Sequence, residues 1–147
     1  MNELIPSIRN KVLQLEEWMR QAIKSGAPIP EWTTNHYFHG GMYAREMFHP
    51  PGMTVVGKVH KKESFFLVTQ GTVQIALDDG PAEFSAPAIL QTKVGTKRVV
   101  YSRDGATYVT VHKTKAKTVE RAEREIVERD KLAIYDALNK PKLKELK

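Results

Sequence analysis

The stretch GKVHKKESFFLVTQG, Gly57 to Gly71, reads as the end of one strand, a polar corner, a second strand and a turn. If the preceding residues continue the first strand as TVVGKVH, alternation places Thr54, Val56, Lys58 and His60 on one face and Val55, Gly57 and Val59 on the other. A lysine and a histidine two positions apart then point the same way. Two readings of that shared face stay open. It is the interior, where both residues line a site, or it is the surface, where they join Lys61 and Lys62 in a solvated basic corner.

The same texture extends on both sides. From about Trp32 to Lys113, short runs rich in Val, Phe, Tyr, Thr and Ile are cut by HPPG at 49–52, TQG at 69–71, DDGP at 78–81, VGT at 94–96 and RDG at 103–105. Turn signals at such intervals predict an antiparallel sandwich or barrel, and no strand–helix alternation points to a parallel sheet. Before this region, Ile8, Val12, Leu15, Trp18, Met19 and Ile23 recur at helical spacing, predicting a helix from about Pro6 to Lys24 closed by Ser25-Gly26. After it, Thr118 offers an N-cap hydroxyl to a helix predicted to run to about Asn139, with Pro141 beyond. Its stripe of Val119, Ala122, Ile126, Ala133 and Ala137 is thin, so it must dock on the barrel or on another subunit. The expected organisation is one domain in three parts: residues 1–30 as helix and linker, 31–113 as barrel, 114–147 as helix and basic tail.

Composition excludes several function classes. The 147 residues contain no cysteine, which removes disulfide scaffolds, thiolate nucleophiles and Cys-ligated metal sites. No apolar run approaches the roughly 20 residues that cross a bilayer, and the N-terminus lacks a signal peptide's apolar centre, so no membrane partner and a cytoplasmic location are expected. The net charge of +6 is uneven. Residues 113–147 hold 11 Lys and Arg against 7 Asp and Glu, the rest 12 against 10, and the tail's charges alternate in sign as on a solvated helix. With no recognition helix, zinc finger or aromatic RNA-binding signature, sequence-specific nucleic-acid binding is not expected.

The segment Gly52 to Gly71 resembles the first motif of the cupin superfamily: a glycine, five residues, His-x-His, a short gap, Glu, six residues and a glycine. Aligned on Gly52, His60 and Gly71, Lys58 stands for the first histidine and Ser64 for the glutamate, with Glu63 one place off. QTKVGTKRVVY resembles the second motif, with Lys97 and Arg98 where its histidine would stand. The resemblance implies a mainly β fold, a double-stranded β-helix or jelly-roll barrel with N- and C-terminal α-helices. It does not carry over the metal chemistry, because an ammonium repels a metal ion and offers it no lone pair. GKVHKKE, SAPAILQTKVGTKR and VTVHKT also resemble small cupin-like proteins of tailed bacteriophages.

These residues point to an anion. Lys58, His60, Lys97 and Arg98 are the expected ligand-binding set, with Arg45, Tyr101 and His112 in second rank; Glu46 is a candidate neutralising neighbour. The functional expectation is a non-catalytic binder of a phosphate- or nucleotide-like small molecule, without metal or cofactor and homo-oligomeric. In a phage setting it sequesters a host-defence nucleotide in the host cytoplasm. A structural or assembly scaffold is the alternative. A metal-independent sugar-nucleotide epimerase, with His60 as base and Tyr101 or Tyr108 as acid, is a third reading. The bland readings stand beside them: GTKR as a turn, His112 as a hydrogen-bonded filler beside Tyr108 and Thr110, Trp32, Tyr37 and Phe38 as core or interface, and Gly40-Gly41 as a flexible loop near a loosely spaced His36, His39 and His49.

Overall fold

The computed structural model describes residues 4–77 and 80–142. In chain order the elements are α1 (Leu4–Lys24), β1 (Thr33–His39), β2 (Met42–His49), β3 (Met53–Val56), β4 (Ser64–Leu77), β5 (Gly80–Ser85), β6 (Ala88–Thr92), β7 (Val99–Ser102), β8 (Ala106–Lys113) and α2 (Val119–Ile126). All strand pairs are antiparallel, and β4 belongs to two sheets. Its first half pairs with β6 and β8, which continues to β2 and β1; its second half pairs with β5 and β7, which continues to β3. The result is the mainly β, double-sheet fold that the motif spacing predicts.

The long β4 shows how the sheets are joined. TQG is not a turn: register shifts between Val68 and Gln70, a bulge inside one strand. One extra residue reverses side-chain parity, so Phe66 and Val68 are buried before it and Val73 and Ile75 after it. Gly71 is required there. It has φ 80°, and a Cβ would lie 2.5 Å from the Gly105 carbonyl oxygen. Gly40 and Gly41, at φ 57° and 77°, form the tight turn of the β1–β2 hairpin rather than a loose loop. The DDGP turn includes residues 78–79, which lie outside the described residues.

Between the sheets lies a core of Trp32, Met47, Met53, Phe66, Val68, Val73, Ile75, Val100, Ala106 and Tyr108. Both helices close over the barrel, but not as the periodicity predicts. α1 ends where expected: Gly26 takes φ 105°, and the Ala27 and Gly26 amides donate to the Ala22 and Ile23 carbonyls at 2.9 and 3.0 Å. Its buried face, however, carries Val12, Glu16 and Arg20, while Trp18 is 68% exposed. Ion pairing turns the helix, because Glu16 meets a buried lysine of the barrel. The Ile8 side chain lies outside the described residues.

α2 starts at Thr118, whose Oγ1 accepts the Arg121 amide at 3.3 Å, but stops at Ile126 instead of reaching Asn139. The backbone instead pairs extended with the barrel. His60 and Val127 form a bridge, flanked by Lys61 N–H to Ile126 C=O at 2.7 Å and Glu128 N–H to Val59 C=O at 2.8 Å. Ala122, Ile126 and Val127 bury themselves against Tyr43, so α2 docks on its own barrel. Residues 128–142 then run over the open end, held by Tyr135 Oη to the Pro30 carbonyl at 2.7 Å and by Tyr135 edge-on to Trp32 at 4.2 Å. Among the described residues no helix is long and apolar enough to cross a membrane. The basic tail beyond residue 142 lies outside the described residues.

Candidate functional site

A cavity of about 120 Å³ opens between the inner face of the barrel, the two helices and the 128–142 segment. The inner faces of β2 and β8 bring Arg45, Thr110 and His112 to it, the chain after β3 brings Lys58 and His60, and the approach to β7 brings Arg98. Trp32, Met47, Phe66, Ile126, Val127 and Ile134 supply apolar wall.

Lys58 and His60 reach this interior by a route that alternation alone does not give. β3 ends at Val56, and its inward residues are Met53 and Val55, the parity opposite to that of Lys58 and His60. The change of parity falls at Gly57, where the strand ladder stops and the Gly57 amide donates to the Arg98 carbonyl at 2.8 Å. Lys61 and Lys62 do point outward, onto the end of α2: Lys61 Nζ donates to the Arg124 carbonyl at 2.6 Å, and Lys62 pairs with Glu125 at 2.8 Å.

The cations of the site are not equivalent. Lys58 Nζ and Arg45 Nη2 share one oxygen, Glu123 Oε1, at 3.0 and 3.8 Å. Glu46, the expected neutralising neighbour, lies on the outer face, bonded to Asn35 and Tyr37 at 3.3 Å each. Arg98 is 8% exposed and has no carboxylate partner among the described residues. Its Nη2 donates to Thr92 Oγ1, its guanidinium carbon sits 4.6 Å from the Phe66 ring centroid, and its Nε has no partner. Desolvation pushes Arg98 down to about 10, which leaves it charged at neutral pH.

Beside it, the rings of His60 and His112 stack at 6.1 Å and 11°. Burial first, then the nearby Arg98 and Arg45 guanidiniums, pushes His60 down to about 4. Burial, then chiefly Arg45, pushes His112 down to about 3. Both imidazoles are therefore neutral near pH 7, and each has a buried Nδ1 without a partner. His112 Nε2 lies 3.1 Å from Thr110 Oγ1. A neutral imidazole next to a fixed guanidinium suits an anion: the guanidinium supplies charge, and the ring supplies one N–H.

Two residues of the expected set are placed elsewhere. Lys97 is buried but faces α1, where its Nζ lies 3.2 Å from Glu16 Oε1 and 3.0 Å from the Gly57 carbonyl. Tyr101 sits on β7 between the inward Val100 and Ser102, so strand alternation turns it to the outer face. Tyr108 does line the cavity, with its hydroxyl held 3.0 Å from His49 Nδ1 and its acidity weakened by burial. His36 and His49 are separately engaged, with Tyr43 Oη at 2.6 Å and with Tyr108 and the Met53 carbonyl. Glu123 is the cavity-lining residue that sequence reasoning did not place at the site. It lies 65 positions from Lys58, and nothing local couples them.

The metal position implied by cupin motifs does not fit a metal here. His60 has one further imidazole beside it, His112, but Lys58 and Arg98 put two cations at the site, Ser64 Oγ is a buried atom without a partner among the described residues, and Glu63 is exposed. No group of three or more His, Cys, Asp or Glu among the described residues is arranged to hold an ion.

No protein-family model and no curated protein matches the sequence. Solved structures do. A cupin superfamily protein from Desulfitobacterium hafniense matches with 11% identity and a TM-score of 0.53 over 60% of this chain and 83% of that one. An RmlC-like cupin family protein with a double-stranded β-helix fold, from Methanocaldococcus jannaschii, matches with 9% identity and a TM-score of 0.50 over 58% and 83%. An acetylacetone dioxygenase from Acinetobacter johnsonii matches with 13% identity and a TM-score of 0.50 over 59% and 66%. At these identities the likeness shows the fold, a cupin double-stranded β-helix, and no activity.

Proposed function

We propose that this protein binds a small anionic molecule in the cavity beneath its helices, with Arg98 as the anchor. The observation that carries the reading is a buried guanidinium facing an aromatic ring and a hydroxyl, with no carboxylate among the described residues to neutralise it. Burying a charge without a counter-ion costs several kcal/mol, so such a residue lowers stability unless something arrives to pair with it. His60 and His112 contribute neutral hydrogen-bonding groups, Lys58 and Arg45 add positive potential at the wall, and the apolar residues take the body of the ligand. Sites for drug-sized ligands usually enclose about 300–1,000 Å³, so this cavity suits the phosphate or carboxylate end of a molecule and would leave a nucleotide's base outside.

The test is calorimetric titration of acetate, inorganic phosphate and nucleoside monophosphates onto the parent chain and Arg98→Met. Saturable binding that Arg98→Met abolishes supports the reading. Equal binding by the two proteins removes it. Binding is favoured over isomerisation by the tyrosines, since Tyr101 faces outward and the Tyr108 hydroxyl is engaged by His49. From the resemblance of GKVHKKE and VTVHKT to phage sequences we further propose a setting in the cytoplasm of an infected host, which a melting-temperature screen against signalling nucleotides would check.

A second reading, self-association, rests on the opposite side of one sheet. Tyr37, Met42, Phe48, Phe65 and Ile89 form an exposed apolar face across β1, β2, β4 and β6, Ile89 at 69% exposure. Its carboxylate, Glu46, is already bonded to Asn35 and Tyr37. The face is mainly apolar, with Lys113 opposite Met42 at its edge, and fits a second copy of itself.

A further inference from the structure

We infer that the ligand is a dianion, either a phosphate monoester or a short dicarboxylate, held between Arg98 on one side and the Arg45–Lys58 pair on the other. This rests on the reading of Arg98 as an anion anchor and goes beyond it in fixing the charge.

The charged groups of the cavity wall do not balance. Glu16 is answered by Lys97 at 3.2 Å and Arg20 at 3.7 Å, on the α1 side. Asp136 is half-buried and turns its Oδ1 to its own loop, accepting the Leu138 and Lys140 amides at 2.9 Å each. What remains is Arg98 without a carboxylate, and Arg45 and Lys58 with one Glu123 oxygen between them. Asp136 carries a negative charge but makes no ion pair with either group, so at ion-pair distance each group is one positive charge in surplus and the two loci together lack two negative charges. The stacked imidazoles line the same cavity as both groups. A monoanion would answer one group and leave the other uncompensated in a half-buried wall. A dianion answers both, and neutral imidazoles add no third charge.

Isosteric pairs that differ only in charge test this at pH 8 and low salt. Methyl phosphate against methyl sulfate gives the tetrahedral arm; succinate against succinamate gives the planar arm. In at least one arm the dianion should bind about tenfold or more tightly than its monoanionic partner, because a second opposite charge is weakly screened in a partly desolvated site. Arg45→Gln should reduce that ratio to about twofold, and Glu123→Gln, which enlarges the surplus, should raise it. The arm that responds distinguishes phosphate from dicarboxylate.

If monoanion and dianion bind within about twofold in both arms while Arg98→Met still abolishes binding, the dianion inference is overturned and the anion reading stands. If no probe binds at millimolar concentration, both are overturned. A ratio unmoved by Arg45→Gln and Glu123→Gln likewise overturns the second charge locus.

Discussion

Lys97 and Arg98 are neighbours in the chain, equally buried at 8% exposure, and held by opposite logic. Lys97 has Glu16 and a backbone carbonyl, an arrangement that closes on itself and ties α1 to the barrel. Arg98, one residue on, points across the strand into the cavity with a hydroxyl and a ring for company. A buried cation with its carboxylate is part of the structure. A buried cation without one is a structural cost, explained by something the folded chain still has to meet.

That contrast is broken most visibly on the Lys97 side. Lys97→Met leaves Glu16 buried beside a single more distant guanidinium, and should lower unfolding free energy by about 3–5 kcal/mol in urea denaturation. The double variant Lys97→Met with Glu16→Leu should recover most of it. Failure of the second change to rescue the first would mean that Lys97 acts through packing.

Acid sharpens the contrast next. The folded-state values of His60 and His112 are depressed below the ordinary 6.5, to about 4 and about 3. The unfolded chain therefore binds more protons between those values and 6.5, and stability falls as pH is lowered through that window. Lowering pH from 7.5 to 5 should cost about 2–4 kcal/mol, and His112→Gln should remove about half of that dependence. A flat profile above pH 5 would contradict the buried neutral pair.

The outer faces of the two sheets make the smallest test. Phe65→Lys should change the elution volume and light-scattering mass if that face joins two copies, with monomer stability altered by only about 0.5 kcal/mol. Tyr101→Lys on the polar outer face of the other sheet is the control and should change neither.

How much of this was legible follows from range. Gly71 was readable because the motif spacing marks it, and its positive φ and the 2.5 Å approach of Gly105 give the physical reason. His60, Lys58, Arg98, Arg45 and His112 were readable as candidates, and the fold brings all five to one cavity. Lys97 was assigned wrongly because sequence gives no way to tell which of two adjacent cations faces a helix 81 positions away. Glu123 was invisible for the same reason. Residues 128–139 were misread as helix because Ala133 and Ala137 supply a helical period, while the bridge between His60 and Val127 that competes for the backbone is a tertiary event.

The central claim concerns Arg98, and denaturant unfolding of Arg98→Met without added anion tests it most directly. A residue kept for a ligand rather than for the fold predicts a variant about 1–2 kcal/mol more stable than the parent, and no longer stabilised by anions that stabilise the parent. A variant less stable than the parent by about 2 kcal/mol or more would show that the guanidinium holds the barrel together, and would contradict the account.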